Sequence, residues 1–453
     1  MNRLLIRNGI IVTPDEIFRG DIFIVGETIA CVASEIRGDA VRVIDATGLH
    51  IFPGAIDAHV HLRDPGATHK EDFTTGTRAA LAGGITTILD MPNNPTPTTT
   101  RVALAEKRAI ARAKAMCDFG LFIGATAENA EEVNGTRAAS RAEKRGQENN
   151  IRVIPRSSAS NNDLGAVGIK LYLGATTGDL LVTEFDPVYR HFIAPHDLPI
   201  VVHAEDNDAL KFFAGESRHS QKRPAIAASL AVARVLAISE ATGRAVHIAH
   251  LSAAREIELV KDAKARGVRV TCEVAPHHLF LSTDDEERLG AFGVVNPPLR
   301  APEDVRALWH NLARIDLVAT DHAPHTRAEK ESSKPPSGMT GLETMLPLLL
   351  NAANEKRLSL YDIARMTARN PARVFRLARK GEIAEGFDAD LTFVNLDAEF
   401  VIAQPFETKC DWSPFEGARG RGKIARVMLR GREVVCDGKI LAEPGFGKEI
   451  RRA

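Results

Sequence analysis

Apolar residues in this chain gather into eight short β-like runs, 55–61, 85–91, 119–124, 167–173, 200–204, 245–250, 268–274 and 317–322, each followed by a stretch with helical spacing. Eight alternating β and α units predict a (β/α)8 barrel, a TIM-type fold of the α/β class. Outside these units the texture changes. Residues 3–52 carry short alternating runs (Leu4-Leu-Ile6, Asp21-Ile-Phe-Ile-Val25, Val41-Arg-Val-Ile44) broken by glycine and proline. The same pattern returns in Asp390-Leu-Thr-Phe-Val394, Ala425-Arg-Val-Met-Leu429 and Val434-Val435. Both flanks together predict one small β-sandwich built from the two termini, which divides the chain into 1–52, 53–385 (the barrel) and 386–453. Residues 128–163 are charged and poor in large apolar side chains, as expected of surface helix and loop.

The residues that close the apolar runs add chemistry to this outline. Asp57-Ala-His-Val-His61, Gly168-Ile-Lys-Leu-Tyr-Leu-Gly174, Val201-Val-His-Ala-Glu-Asp206, Val246-His-Ile-Ala-His250 and Ala319-Thr-Asp-His-Ala-Pro-His325 each end in a side chain able to ligate metal. In a (β/α)8 barrel catalytic groups come from the C-terminal ends of the strands. His59, His61, Lys170, His203, His250 and Asp321 are therefore expected to meet there, an inventory suited to a two-metal hydrolase. His59 and His61, two apart on a strand, share a face and can reach one ion. Imidazole and carboxylate donors suit zinc with a position left open for water, and manganese or cobalt accept the same ligands. Arg63 follows by two and should emerge at the same mouth, where a guanidinium fork can hold a carboxylate. Thr176 and Thr177, between Gly174 and Gly178, suit a lid, and Asn296 is a further candidate for contact with a bound ring. His247, His277 and His278 have no such placement and read as structural.

Composition narrows the class. With 58 basic and 59 acidic residues the net charge is −1, which gives no electrostatic case for nucleic acid or an anionic membrane as partner. Five cysteines lie scattered without C-x-x-C spacing, and an odd number argues against a disulfide framework. With no leader-like segment or apolar run of about 18 residues read in the sequence, a soluble cytoplasmic protein is expected.

Several stretches resemble the dihydroorotase family of the cyclic amidohydrolases. They are Asp57-Ala-His-Val-His-Leu-Arg-Asp-Pro-Gly66, Met91-Pro-Asn93, Gly168-Ile-Lys-Leu-Tyr-Leu173, Cys272-Glu-Val-Ala-Pro-His-His-Leu-Phe-Leu281 and Thr320-Asp-His-Ala-Pro-His-Thr326. Lys334-Pro-Pro-Ser-Gly-Met-Thr-Gly-Leu-Glu-Thr-Met-Leu-Pro347 and Trp412-Ser-Pro-Phe-Glu-Gly417 are similar to the dihydroorotase domain of the animal multifunctional pyrimidine enzyme. The resemblance runs from about residue 50 to the C-terminus, in the same order. It departs from the family in a longer segment around 130–163, and among family members that bridge their metals with lysine or aspartate it sides with lysine.

The resemblance implies two zinc ions, one held by His59, His61, Asp321 and a carbamate on Lys170, the other by that carbamate, His203 and His250. It implies Asp321 as the proton shuttle, and Asn93 and His325 beside Arg63 as a carboxylate clamp. The implied reaction interconverts L-dihydroorotate and N-carbamoyl-L-aspartate. A homodimer is the family's common state, and an aspartate carbamoyltransferase is a candidate partner. Other readings stay open at this point. Singly, His203 or His250 would be a core histidine, Lys170 an amine snorkelling from an apolar strand, and Arg63 a surface partner of Asp64 or Glu71. A hydantoinase, dihydropyrimidinase or allantoinase would keep the metals and leave the clamp without purpose. A non-catalytic scaffold relative would be expected to have lost ligands.

Overall fold

The computed structural model describes residues 3–37, 42–133, 164–176, 178, 180–450 and 452. Eight parallel strands follow one another in chain order around a barrel: Ala55–Val60, Ile85–Asp90, Asp118–Gly124, Gly168–Tyr172, Ile200–His203, Val246–Ile248, Val270–Val274 and Leu317–Val318. The last meets the first through a parallel bridge between Val60 and His322, with His61 N donating to His322 O at 2.8 Å. All eight expected runs are strands, and the barrel fold stands.

Strand periodicity sorts the side chains. Ile169, Leu171, Ile200, Val202, Val246 and Ile248 join the core shared with the surrounding helices, while Ile56, Ala58, Leu89, Phe122 and Val201 form a separate inner cluster with Phe375 and Leu377. With the interior filled by side chains, polar groups gather where the strands stop. The helices are set by local signals. Asp72 caps Phe73–Ala82 through Thr75 N, and the helix ends at Gly83, where a Cβ would lie 1.9 Å from Leu342 O. The 18-residue helix Ala225–Thr242 ends at Gly243 in the left-handed region (φ 65°). It belongs to an apolar stretch, His219–Thr242, long enough by composition to cross a membrane, which the sequence reading passed over. Ala227, Ala228, Ala231, Val232, Val235 and Leu236 of this helix are buried in the barrel's outer layer.

The termini build a separate β-sheet domain, as expected. Hydrogen bonds link its nine strands into one sheet, ordered Lys439–Ile440, Arg432–Cys436, Arg419–Leu429, Leu391–Val401, His50–Pro53, Arg3–Val12, Ile17–Val25 and Thr28–Ala33, with Arg42–Asp45 also paired to Arg3–Val12. It surrounds its own core of Leu4, Ile6, Ile22, Ile24, Leu391, Phe393 and Met428. Thr28–Ala33 and His50–Pro53 were not read from the sequence. Lys380 Nζ ties this domain to the barrel, reaching Asp118 and Asp390 at 2.6 Å and Asp388 at 3.0 Å. Two stretches within 386–453 also contact the barrel. Ile450 N donates to Phe119 O at 2.9 Å, and Trp412 Nε1 donates to His325 O at 2.7 Å. Of the polar segment 128–163, Ala130–Val133 is helical and 134–163 lie outside the described residues.

Candidate active site

The cleft at the C-terminal ends of the strands has an empty volume of about 380 Å³ and is lined by His59, His61, Lys170, His203, His250 and Asp321, the six expected ligands. Their strands share a parallel register, so residues separated by up to 262 positions arrive at one level. Asp57, two residues before the His-x-His motif, is spent on holding this level: it accepts from His59 N at 3.2 Å and Thr320 N at 3.0 Å, joining the first strand to the turn that carries Asp321. Burial pushes its carboxyl up to about 7. His250, Asp321 and Arg63 have left-handed backbones (φ 35°, 49° and 62°), a strained conformation for non-glycine residues that recurs at functional turns.

The hydrogen bonds decide which ring nitrogens face inward. His59 Nδ1 is held by Glu273 and His61 Nδ1 by Asn93 Oδ1 at 2.6 Å. As Nδ1 donors, both rings turn the lone pair of Nε2 into the cleft. There they meet another acceptor, Asp321 Oδ1, at 3.3 Å from His59 and 3.0 Å from His61. Acceptor atoms packed this closely repel unless a cation or proton lies among them, so the donor set fits a metal ion. Beside it, His203 Nδ1 and His250 Nε2 approach to 2.9 Å, while His203 Nε2 lies 3.1 Å from Glu205 Oε2. Lys170 Nζ, fully buried, is 3.2 Å from His59 Nε2. Burial lowers this amine to about 8, which leaves a useful neutral fraction near neutral pH.

The wall facing this centre is polar and mostly pre-formed. Arg63 is 5% exposed, donates from Nε to Pro324 O at 3.1 Å, and brings a terminal nitrogen within 3.2 Å of His325 Nε2. Among the described residues no carboxylate forms an ion pair with it. Asp64 pairs with Lys114 at 2.8 Å, and Glu71 accepts from the hydroxyls of Thr75 and Thr408, which removes the surface-pair reading. Asn93, Thr176 and Asn296 line the cleft. His325 stands one layer back, against Arg63, Lys70 Nζ (3.2 Å) and Ser337 O (3.1 Å). Thr177 lies outside the described residues. Val295, Ser337 and Gly338 complete the wall. Buried Lys330 binds it from behind, donating to the carbonyls of Val294, Pro336 and Gly338 at 3.0, 3.0 and 3.1 Å.

Sequence reading missed four residues here. Glu273 accepts from His59 and, at 3.1 Å, from His247 Nε2, so the histidine read as structural buttresses the carboxylate that aims a ligand. Burial alone would raise Glu273; the two imidazoles hold it well below the ordinary carboxylate range. Its signal was available, a carboxylate one residue before the end of the seventh apolar run. Glu205, behind His203 and paired with Arg223, carried the same signal just past the fifth run, whereas Lys330 carried none. Tyr172, two residues beyond Lys170 on the same strand, also lines the cleft.

Comparisons with known proteins agree with this geometry. The "Multifunctional protein CAD" of Squalus acanthias is 42% identical over 428 residues, 92% of this chain and 17% of that protein. The chain thus spans about a sixth of the length of the first curated relatives it matches. A dihydroorotase of Halobacterium salinarum is 41% identical across 91% of this chain and 93% of its own length. Among solved structures, an L-hydantoinase (dihydropyrimidinase) from Arthrobacter aurescens superposes with a TM-score of 0.91 at 30% identity, covering 100% of both chains. The model of the "Amidohydrolase family" matches residues 50–434, and the chain belongs to that family.

Proposed function

We propose that this protein is a metal-dependent cyclic amidohydrolase that interconverts L-dihydroorotate and N-carbamoyl-L-aspartate, the dihydroorotase reaction of pyrimidine biosynthesis. The observation that carries the choice of ring is Arg63: a buried guanidinium on the cleft wall without a carboxylate of its own. Desolvating a cation is costly unless it is paired, and a substrate carboxylate supplies the partner. Hydantoin, dihydrouracil and allantoin rings carry no such carboxylate, which disfavours a hydantoinase or allantoinase. Retention of all six candidate ligands disfavours a non-catalytic scaffold.

In this reading His59, His61 and Asp321 with the carbamate of Lys170 would hold one ion, and the carbamate, His203 and His250 the other, zinc being the metal expected for these donors. Bound there, the ions supply an acidified water and a polarised carbonyl. Glu273, Asn93 and Glu205 keep the imidazoles aimed inward. Asp321 takes the proton of the attacking water and delivers it to the ring nitrogen. The water oxygen bonds to the carbonyl carbon, the C–N bond breaks, and the leaving nitrogen keeps the proton. Arg63 holds the substrate carboxylate, with His325 bracing it, while Asn93, Asn296, Thr176 and Thr177 surround the ring. The proposal extends to domains at 1–52, 53–385 and 386–453, a homodimer in the cytoplasm, and an aspartate carbamoyltransferase as candidate partner. Metal analysis beside a dihydroorotate assay tests it. Two equivalents of metal with turnover are expected; a chain that hydrolyses only rings without a carboxylate would remove it.

A further inference from the structure

We infer that the hydroxyl of Tyr172 is a catalytic group that donates a hydrogen bond to the scissile carbonyl oxygen as that oxygen takes on negative charge. Tyr172 lies two residues beyond Lys170 on the strand Gly168–Tyr172, so both side chains leave the strand on the same face. Ile169, Leu171 and Leu173 take the other face and join the helix-packed core. The phenol is thereby delivered to the cleft, where it is 3% exposed and one of the lining residues.

Its ring is accounted for and its oxygen is not. The ring packs beside His203, with centroids 5.9 Å apart, and Lys170 Nζ stands 5.3 Å from its centroid. The hydroxyl oxygen is buried and has no hydrogen-bond partner among the described residues. A buried phenol ordinarily finds a partner, because leaving it without one is costly. Asp321 and Arg63 line the same cleft as this phenol. A ring clasped by Arg63 and attacked beside Asp321 would carry its amide carbonyl within the cleft that this phenol lines. A phenol is a neutral donor with one hydrogen to give. A fixed donor aimed at developing charge in a site shielded from water contributes to the transition state more than to the ground state.

The inference rests on the cyclic-amide reading of the same cleft, and Tyr172→Phe in the metal-reconstituted enzyme tests it. The substitution removes one oxygen that makes no hydrogen bond in the free protein, so the thermal midpoint should hold or rise slightly. Turnover of dihydroorotate should fall by about 10²-fold, the typical cost of one oxyanion donor. KM, metal per chain and carbon dioxide released on acid treatment should match the parent. Equal turnover in parent and variant would overturn the inference. So would a loss that tracks metal or carbon dioxide content, since the phenol would then be serving the Lys170 carbamate. Parent activity separates the two readings: failure of the proposed reaction shows as an inactive parent, failure of this inference as equal rates.

Discussion

Replacing Arg63 with methionine separates substrate recognition from the metal centre. The methionine keeps much of the bulk and removes the fork. In the free enzyme the guanidinium is buried, with its two contacts at Pro324 O (3.1 Å) and His325 Nε2 (3.2 Å) and no carboxylate among the described residues. A hydrogen bond involving a charged group is worth about 1.5–3 kcal/mol, so a bidentate grip on a carboxylate represents about 3–6 kcal/mol before water refills the space. At 1.4 kcal/mol per tenfold, kcat/KM for dihydroorotate should fall by at least about 10²-fold and by no more than about 10⁴-fold. Most of that loss should appear in KM. For dihydrouracil or hydantoin, which never made the contact, kcat/KM should change little, and the gap between the substrates should narrow. Stability should barely move: losing the bond to Pro324 costs about 1 kcal/mol, and relieving an unpaired buried cation offsets it. Initial rates on the three rings, metal content by mass spectrometry and a thermal melt read all of this from one preparation. An unchanged substrate preference, or a parent that prefers a ring without a carboxylate, would refute the reasoning.

Three further outcomes are expected. Lys170→Ala should lose most of its bound metal and its turnover while keeping the barrel's circular dichroism, with partial recovery in a short carboxylic acid; a fully active variant would exclude a bridging role. Asp321→Asn keeps the shape and loses the base, so turnover should fall by at least about 10²-fold; an active variant with the parent's pH–rate profile would show that the proton travels another way. Glu273→Gln leaves every proposed ligand in place yet weakens the grip on His59 Nδ1, so metal affinity should drop about 10- to 100-fold, whereas equal metal retention during dialysis against a chelator would show that His59 needs no such brace.

Much of the barrel was legible because its determinants are local. An apolar run followed by a helical stretch encodes a strand and its crossover, and eight in series encode the closed sheet. His59, His61, Lys170, His203, His250 and Asp321 could be named because strand ends form one face of this fold, so position along the chain carried the information. The terminal sheet was legible for the same reason, except at Thr28–Ala33 and His50–Pro53, where buried and exposed positions do not alternate. Tertiary structure alone decided the rest. Glu273 meets His59 across 214 residues, and His61 finds its orienting partner in Asn93, in the loop after the next strand. No pattern in the sequence ranks those pairings above others. Trp412 and Ile450 reach the barrel because backbone acceptors, the carbonyls of His325 and Phe119, await their N–H groups there. The retreat of His325 behind Arg63 and the arrival of Tyr172 at the cleft have the same origin. The chain's local pattern dictates which residues reach the mouth of the barrel, but the order in which they stand there depends on side-chain packing and on which polar group finds a partner, and those contacts exist only once the strands have closed.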